Sequence, residues 1–435
     1  MSKPTNGQKA GAYLFPLILI ISLFFLWGIA NNLNDVLIAQ FKKVFELTDL
    51  QSGLVQSAFY FGYFCFAIPA ALFMKQFGYK AAVVFGLAVY GLGALLFLPA
   101  ASIREYHLFL GALFVIASGL SFLETSANPL IAAMGPPETA ERRLNFAQSF
   151  NPLGTIAGVL IGRQFILSGN EPTEAEFAAM TPLELDQFYT MEADAVRGPY
   201  LVLGLFVLAW AALVLFTKFP PIAGAQAAKD EGPGRLSDFG KLLAKPAYMF
   251  GVLAQFAYVG AQVGVWSFMI RYAQATVPGT GEKLAAGYLV WSLVAFMIGR
   301  FIATGLMSFV RPGRLMAIYG IVNVCLCLVA VVLPGQTGLY ALAATSFFMS
   351  LMFPTIFAMS LRDLGPLTKA GSSFLVMAII GGAVLTALMG FLSDHSAIHI
   401  AMLVPAACFG VVALYAISQT RPVPARTKPV EETAG

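Results

Sequence analysis

Apolar residues run along this chain in long stretches broken by short polar punctuation. A bilayer core of about 30 Å is crossed by a helix of roughly 20 apolar residues. That ruler places twelve spans, at 13–40, 51–74, 80–100, 106–134, 141–168, 197–217, 246–274, 285–308, 314–333, 337–361, 369–393 and 398–419. Most connections between them are short. Two are long: the acidic GNEPTEAEFAAMTPLELDQFYTMEADA after span 5, and the charged, Gly/Pro/Ala-rich PPIAGAQAAKDEGPGRLSDFGKLLAK after span 6.

Composition agrees with a polytopic membrane protein. Of the 435 residues 58% are hydrophobic and 11% charged, with mean hydropathy +0.78, where a soluble protein carries about 25% charged residues. The net charge of +4 belongs to loops and gives no reason to expect nucleic acid as a partner. With both ends of the chain inside, 18 of the 26 Lys and Arg fall on the inner side and seven outside, leaving Arg300 within span 8. This positive-inside bias predicts cytoplasmic termini and, for a bacterial chain, the inner membrane. The first hydrophobic run has no A-x-A-like cleavage site and reads as a retained span. Cys65, Cys325, Cys327 and Cys408 sit in apolar runs without metal-ligand spacing, so no metal and no cofactor are expected. No hydrolase or transferase constellation is visible.

The second long connection divides the spans six and six. It predicts an N-terminal half at 1–217, a linker at 218–245, a C-terminal half at 246–419 and a tail at 420–435. PLIAAMG at 129–135 returns as PTIFAMS at 354–360, each followed by a short charged loop and a span with a Ser-Phe pair (Ser149 and Phe150, Ser373 and Phe374). Folds built from two parallel repeats bind their solute near the bilayer midplane, between the halves.

Polar groups at membrane depth mark where that site lies. A charge at the bilayer centre costs about 2.5 to 3.5 kcal/mol on insertion scales. Nearly all acids avoid it, yet Asp35 lies within span 1 and Glu124 within span 4. In a low-dielectric surround a carboxyl is cheaper protonated than ionised, so each is suited to load and release a proton as its access to water alternates. Trp27, Asn31 and Asp35 share one face at i, i+4, i+8, flanked by Asn32 and Asn34. Ser121, Glu124 and Asn128 share another, and span 5 carries Asn145, Gln148 and Asn151 at steps of three. Span 7 has a polar and aromatic stripe, Gln255, Tyr258, Gln262 and Trp266. Amides donate and accept without charge, and aromatic rings stack on the C–H face of a sugar. The lining suits a neutral, polyhydroxylated solute. The competing role for any one of these amides is to join neighbouring helices. Arg300 and Arg271 read as residues that pair with acids or snorkel.

The stretches FFLWGIANNLNDVLIAQF, QSGLVQSAFYFGYF, GLSFLETSANPLIAAMGP, RRLNFAQSFNPLGTIAG, LAQFAYVGAQVGVWSFMIRYA, FPTIFAMSLRDLG and AGSSFLVMAIIGGA together resemble the fucose permease family of the major facilitator superfamily, sugar:proton symporters that include glucose/galactose permeases. The resemblance runs from span 1 to span 11. It implies an all-α protein of twelve transmembrane helices in two six-helix halves, and import of a monosaccharide, hexose or deoxyhexose, with a proton by alternating access. It further implies proton coupling at Asp35 and a substrate-side carboxylate at Glu124 that also affects coupling. Sugar contacts from Asn32, Gln148 and Asn151 follow, with Trp27 and the span 7 residues lining the cavity, in a chain that works as a monomer within the bilayer. One departure bears on specificity. The family pattern has a tyrosine before the proline of span 10, and this chain has Phe353, which removes a hydroxyl from the cavity wall and weakens the case for L-fucose. Sodium-coupled sugar symport, with Asp35 and Asn31 as oxygen ligands, and proton-driven drug export are the alternative functions; an amide-rich cavity counts against the second.

Overall fold

The computed structural model describes residues 14–45, 49–166, 174–219 and 236–420, with side chains omitted at 31, 32, 34–44, 49–57, 159, 162, 163, 174, 175, 178, 282 and 283. Among the described residues there are helices and no strands, as lipid demands of a chain that must satisfy its own backbone. Among the described residues twelve rods follow the expected spans. Span 1 is Leu14–Val44, span 2 Asp49–Phe77, span 4 Tyr106–Ala133, span 6 Arg197–Phe216, span 7 Pro246–Thr276, span 8 Glu282–Leu306 and span 9 Pro312–Val332. The others are articulated: span 3 as Tyr79–Leu95 and Phe97–Ile103, span 5 as Ala140–Gln148 and Asn151–Ile161, span 10 as Gln336–Met349 and Met352–Leu361. Span 11 is Thr368–Met377 and Gly381–His395, and span 12 is Ile398–Ala401 and Leu403–Thr420.

Among the described residues ten helical stretches are long and apolar enough to cross a membrane, and Leu14–Ala30 adds a shorter apolar one. Span 5 is not among them, its first segment, AERRLNFAQ at Ala140–Gln148, being polar. Turns between rods use glycine where the backbone needs positive φ, at Gly78 (φ 87°) between spans 2 and 3 and Gly335 (φ 112°) between spans 9 and 10. Spans 1 and 5 cross so closely at Gly28 and Gly154 that a side chain on either would overlap the other helix's backbone. That crossing brings Asn151 against span 1.

The two long connections carry helices of their own. Pro182–Asp194 begins with a capping box, Thr181 and Glu184 each satisfying the other's backbone N–H. Arg104 in the turn between spans 3 and 4 holds it through Asp186 at 2.5 Å. In the linker, Leu236–Leu243 is amphipathic and lies across both halves. Its buried Asp238 accepts from Lys75, at the end of span 2, at 2.5 Å. Its Phe239 ring packs 5.7 Å from Phe374 of span 11.

That end of the bundle is where the halves are joined. Arg362, after span 10, pairs with the buried Glu141 of span 5. Lys369 of span 11 lies over the Tyr79 ring of span 3 at 5.1 Å, and Asn145 Nδ2 donates to Thr355 Oγ1 across the seam at 3.0 Å. The ion pairs that join the halves, Lys75 with Asp238 and Arg362 with Glu141, lie at this end.

Candidate functional site

The N-half wall is built from spans 1, 4 and 5. Glu124 is half-buried in span 4, and its carboxyl makes no ion pair among the described residues. Tyr63 of span 2 lies within electrostatic reach of it, positioned by the bond from Ser121 Oγ to the Tyr63 carbonyl at 3.0 Å. One turn on from Glu124, Asn128 Nδ2 returns to the Glu124 carbonyl at 3.1 Å, and Asn128 Oδ1 accepts from Gln148 Nε2 at 2.9 Å. The Gln148 donor is therefore committed to Asn128. Asn151 Nδ2 donates to the Phe24 carbonyl at 3.2 Å through the close crossing of spans 1 and 5. Trp27 is buried beside Phe24, their rings 4.8 Å apart. Asn31, Asn32 and Asp35 continue the same helix, but their side chains lie outside the described residues.

The C-half wall is chemically different. Gln255 and Tyr258 are fully buried; among the described residues the Gln255 amide has no hydrogen-bond partner, and the Tyr258 hydroxyl lies within electrostatic reach of Arg300. Tyr258 meets Phe353 edge-on at 6.2 Å, and Phe353 stacks with Phe357 at 6.2 Å. Gln262 and Trp266 are half-buried. Trp266 Nε1 donates to Ser346 Oγ at 3.0 Å, and its ring meets Phe296 edge-on at 5.1 Å. The span 7 stripe thus divides by depth, with two members inside the packed seam and two at its border.

Arg300 corrects the sequence reading. It does not snorkel, and among the described residues it pairs with no acid: it is 3% exposed, donates through Nε to the Ser350 carbonyl at 2.6 Å and through Nη1 to the Gln148 carbonyl at 2.9 Å, and stacks 4.5 Å over Phe296. The structure therefore brings Glu124, Asn128, Gln148, Arg300 and Ser350 into one bonded series, and Tyr258 and Phe353 into one aromatic contact. Sequence reasoning missed Ser346 and the C-half role of Arg300. Among the described residues no group of three His, Cys, Asp or Glu is placed to hold a metal ion, and Cys65, Cys325, Cys327 and Cys408 are free thiols.

Two membrane-embedded halves facing each other across a polar seam, tied at one end, define a transporter of the alternating-access class. The sequence profile of the Major Facilitator Superfamily matches residues 17–378, and the chain belongs to that superfamily and, within it, to the fucose permease family. It is 44% identical over 414 residues to the L-fucose-proton symporter of Escherichia coli (strain K12), covering 94% of each chain. It is 38% identical over 415 residues to the glucose/galactose transporter of Brucella abortus biovar 1 (strain 9-941), covering 95% of each. Among solved structures it superposes, with TM-score 0.87 and 44% identity, on the superfamily transporter FucP in the outward conformation, over 94% of this chain and 100% of that one.

Proposed function

We propose that this protein imports a neutral monosaccharide, a hexose or deoxyhexose, together with a proton by alternating access. It is a transporter and not an enzyme. The observation that carries the reading is Glu124: a carboxyl at membrane depth with no cationic partner among the described residues, backed by a relay of neutral amides that ends in Gln148. A site for apolar cations has no use for that many amides, and a passive sugar channel has no use for the carboxyl.

In the proposed cycle Asp35 takes a proton from outside, and sugar then binds between the halves, accepted by Glu124, Asn31, Asn32, Gln148 and Asn151. The rings of Trp27, Trp266, Tyr258 and Phe353 and the amides of Gln255 and Gln262 close on it from their own sides. The halves rock, and sugar leaves before the proton. One proton moving down about 100 mV supplies roughly 2.3 kcal/mol, which at about 1.4 kcal/mol per decade supports some 40-fold accumulation. The linker end faces the cytoplasm in this reading, with both termini on the cytoplasmic side of a bacterial inner membrane. The present arrangement, joined at that end, is the outward-facing one. Residues 1–217 and 246–419 move as the two halves of a monomer, with 218–245 linking them.

The test is uptake of a panel of labelled hexoses and deoxyhexoses into proteoliposomes under an imposed proton gradient. Accumulation that collapses with a protonophore and ignores sodium is the expected outcome. Accumulation that survives the protonophore and requires sodium assigns Asp35 and Asn31 to a cation site instead.

A further inference from the structure

Arg300 sits in span 8 of the C half, yet one of its two backbone acceptors lies in span 5 of the N half. The sequence explains why both acceptors are available. A helical carbonyl at position i is normally closed by the N–H of residue i+4, and proline has none. Residue 152 is Pro152, four beyond Gln148; residue 354 is Pro354, four beyond Ser350. The chain stays close to helical through both breaks, with φ and ψ of −65° and −17° at Ser149 and −58° and −34° at Ser350, so the two carbonyls point where those missing donors would have stood. A buried polar group left without a partner is costly, and these two are satisfied by a single guanidinium, whose planar fork reaches two acceptors at once.

We propose that Arg300 is a positioning residue that ties the proline-freed carbonyl of Gln148 to the C half, holding the linker end closed until the halves rock. The Ser350 bond is internal to the C half and moves with it. The Gln148 bond crosses the seam and breaks when spans 5 and 8 part. Because Gln148 also donates to Asn128 beside Glu124, the same tie fixes the amide that the proposed function assigns to sugar, and the proposal rests on that reading only for this last consequence.

The test is pulsed electron spin distance measurement on the full chain without sugar, between labels at the exposed positions Glu138 and Pro366, in a background with the four native cysteines replaced. Wild type gives mainly the short, closed distance. Arg300→Gln raises the open-to-closed ratio about tenfold, the loss expected for one charge-assisted hydrogen bond. Pro152→Ala moves it the same way by a smaller factor, because the restored N–H competes for the Gln148 carbonyl, and alanine suits a helix better than proline, so this variant folds even where Arg300→Gln does not. Pro354→Ala, which restores a donor inside one half, leaves the ratio unchanged. A wild-type ratio in Pro152→Ala, or equal opening in Pro152→Ala and Pro354→Ala, overturns the proposal. Loss of sugar uptake alone overturns the proposed function and leaves this result standing.

Discussion

The two walls of the seam divide the work. The N half presents a carboxyl and a relay of amides whose donors are already committed to the protein: Gln148 to Asn128, Asn128 to the Glu124 backbone and Asn151 to Phe24. The C half presents rings, a buried cation with two carbonyls as its acceptors and the Tyr258 hydroxyl within reach, and a buried amide, Gln255, without a hydrogen-bond partner among the described residues. A committed relay holds its shape whether or not sugar is present. An uncommitted buried amide is a cost that a ligand, or a change of packing, removes. On the proposed function this difference gives proton and primary sugar recognition to the N half and closure to the C half.

The largest expected effect tests that division directly. Glu124→Gln removes a carboxyl able to take up and release a proton and lowers sugar transport on the order of 100-fold, while Gln255→Met lowers it by about tenfold and raises the thermal unfolding temperature, because an unpartnered amide is replaced by an apolar side chain of similar length. Uptake and melting of the two variants side by side check this, and equal losses without stabilisation would remove the asymmetry. A smaller effect belongs to Phe353→Tyr. The new hydroxyl sits on the ring that meets Tyr258 at 6.2 Å and shifts competition between L-fucose and hexoses toward L-fucose by about tenfold or less, the usual worth of one neutral hydrogen bond. Competition uptake with both sugars present reads it.

The smallest effect lies outside the membrane, on the helix Pro182–Asp194. Hydrogen bonds from the Thr181 backbone and hydroxyl hold the Glu184 carboxyl below its ordinary range. A depressed carboxylate stabilises above the unfolded pKa, and the contribution is lost as pH falls through the folded one. Amide protection factors in this helix, taken relative to the intrinsic exchange rate at each pH, are therefore expected to fall at acid pH in wild type and to lose that dependence in Glu184→Gln.

Much of this was legible in the sequence. Run length gave the rods seen among the described residues, and helical spacing put Glu124 with Asn128; the grouping of Trp27 with Asn31 and Asp35 falls on side chains outside the described residues. Depth was not legible, because a face on span 7 says nothing of how far along the seam it is packed, and Gln255 and Trp266 end in different surroundings. Partners far apart in sequence were hidden for the same reason. Lys75 finds Asp238 at a separation of 163 residues, and Arg300 finds Gln148 at 152. Only the prolines four residues beyond Gln148 and Ser350 marked carbonyls in need of a donor, without saying which donor would come.

In the proposed cycle coupling turns on Asp35, which helical spacing sets on the same face of span 1 as Trp27. The most direct measurement is an external pH electrode in a lightly buffered suspension of vesicles, recording alkalinisation when sugar is added. Wild type is predicted to alkalinise the medium, and Asp35→Asn to give none while still exchanging sugar across the membrane. Full sugar-induced alkalinisation in Asp35→Asn would contradict the account.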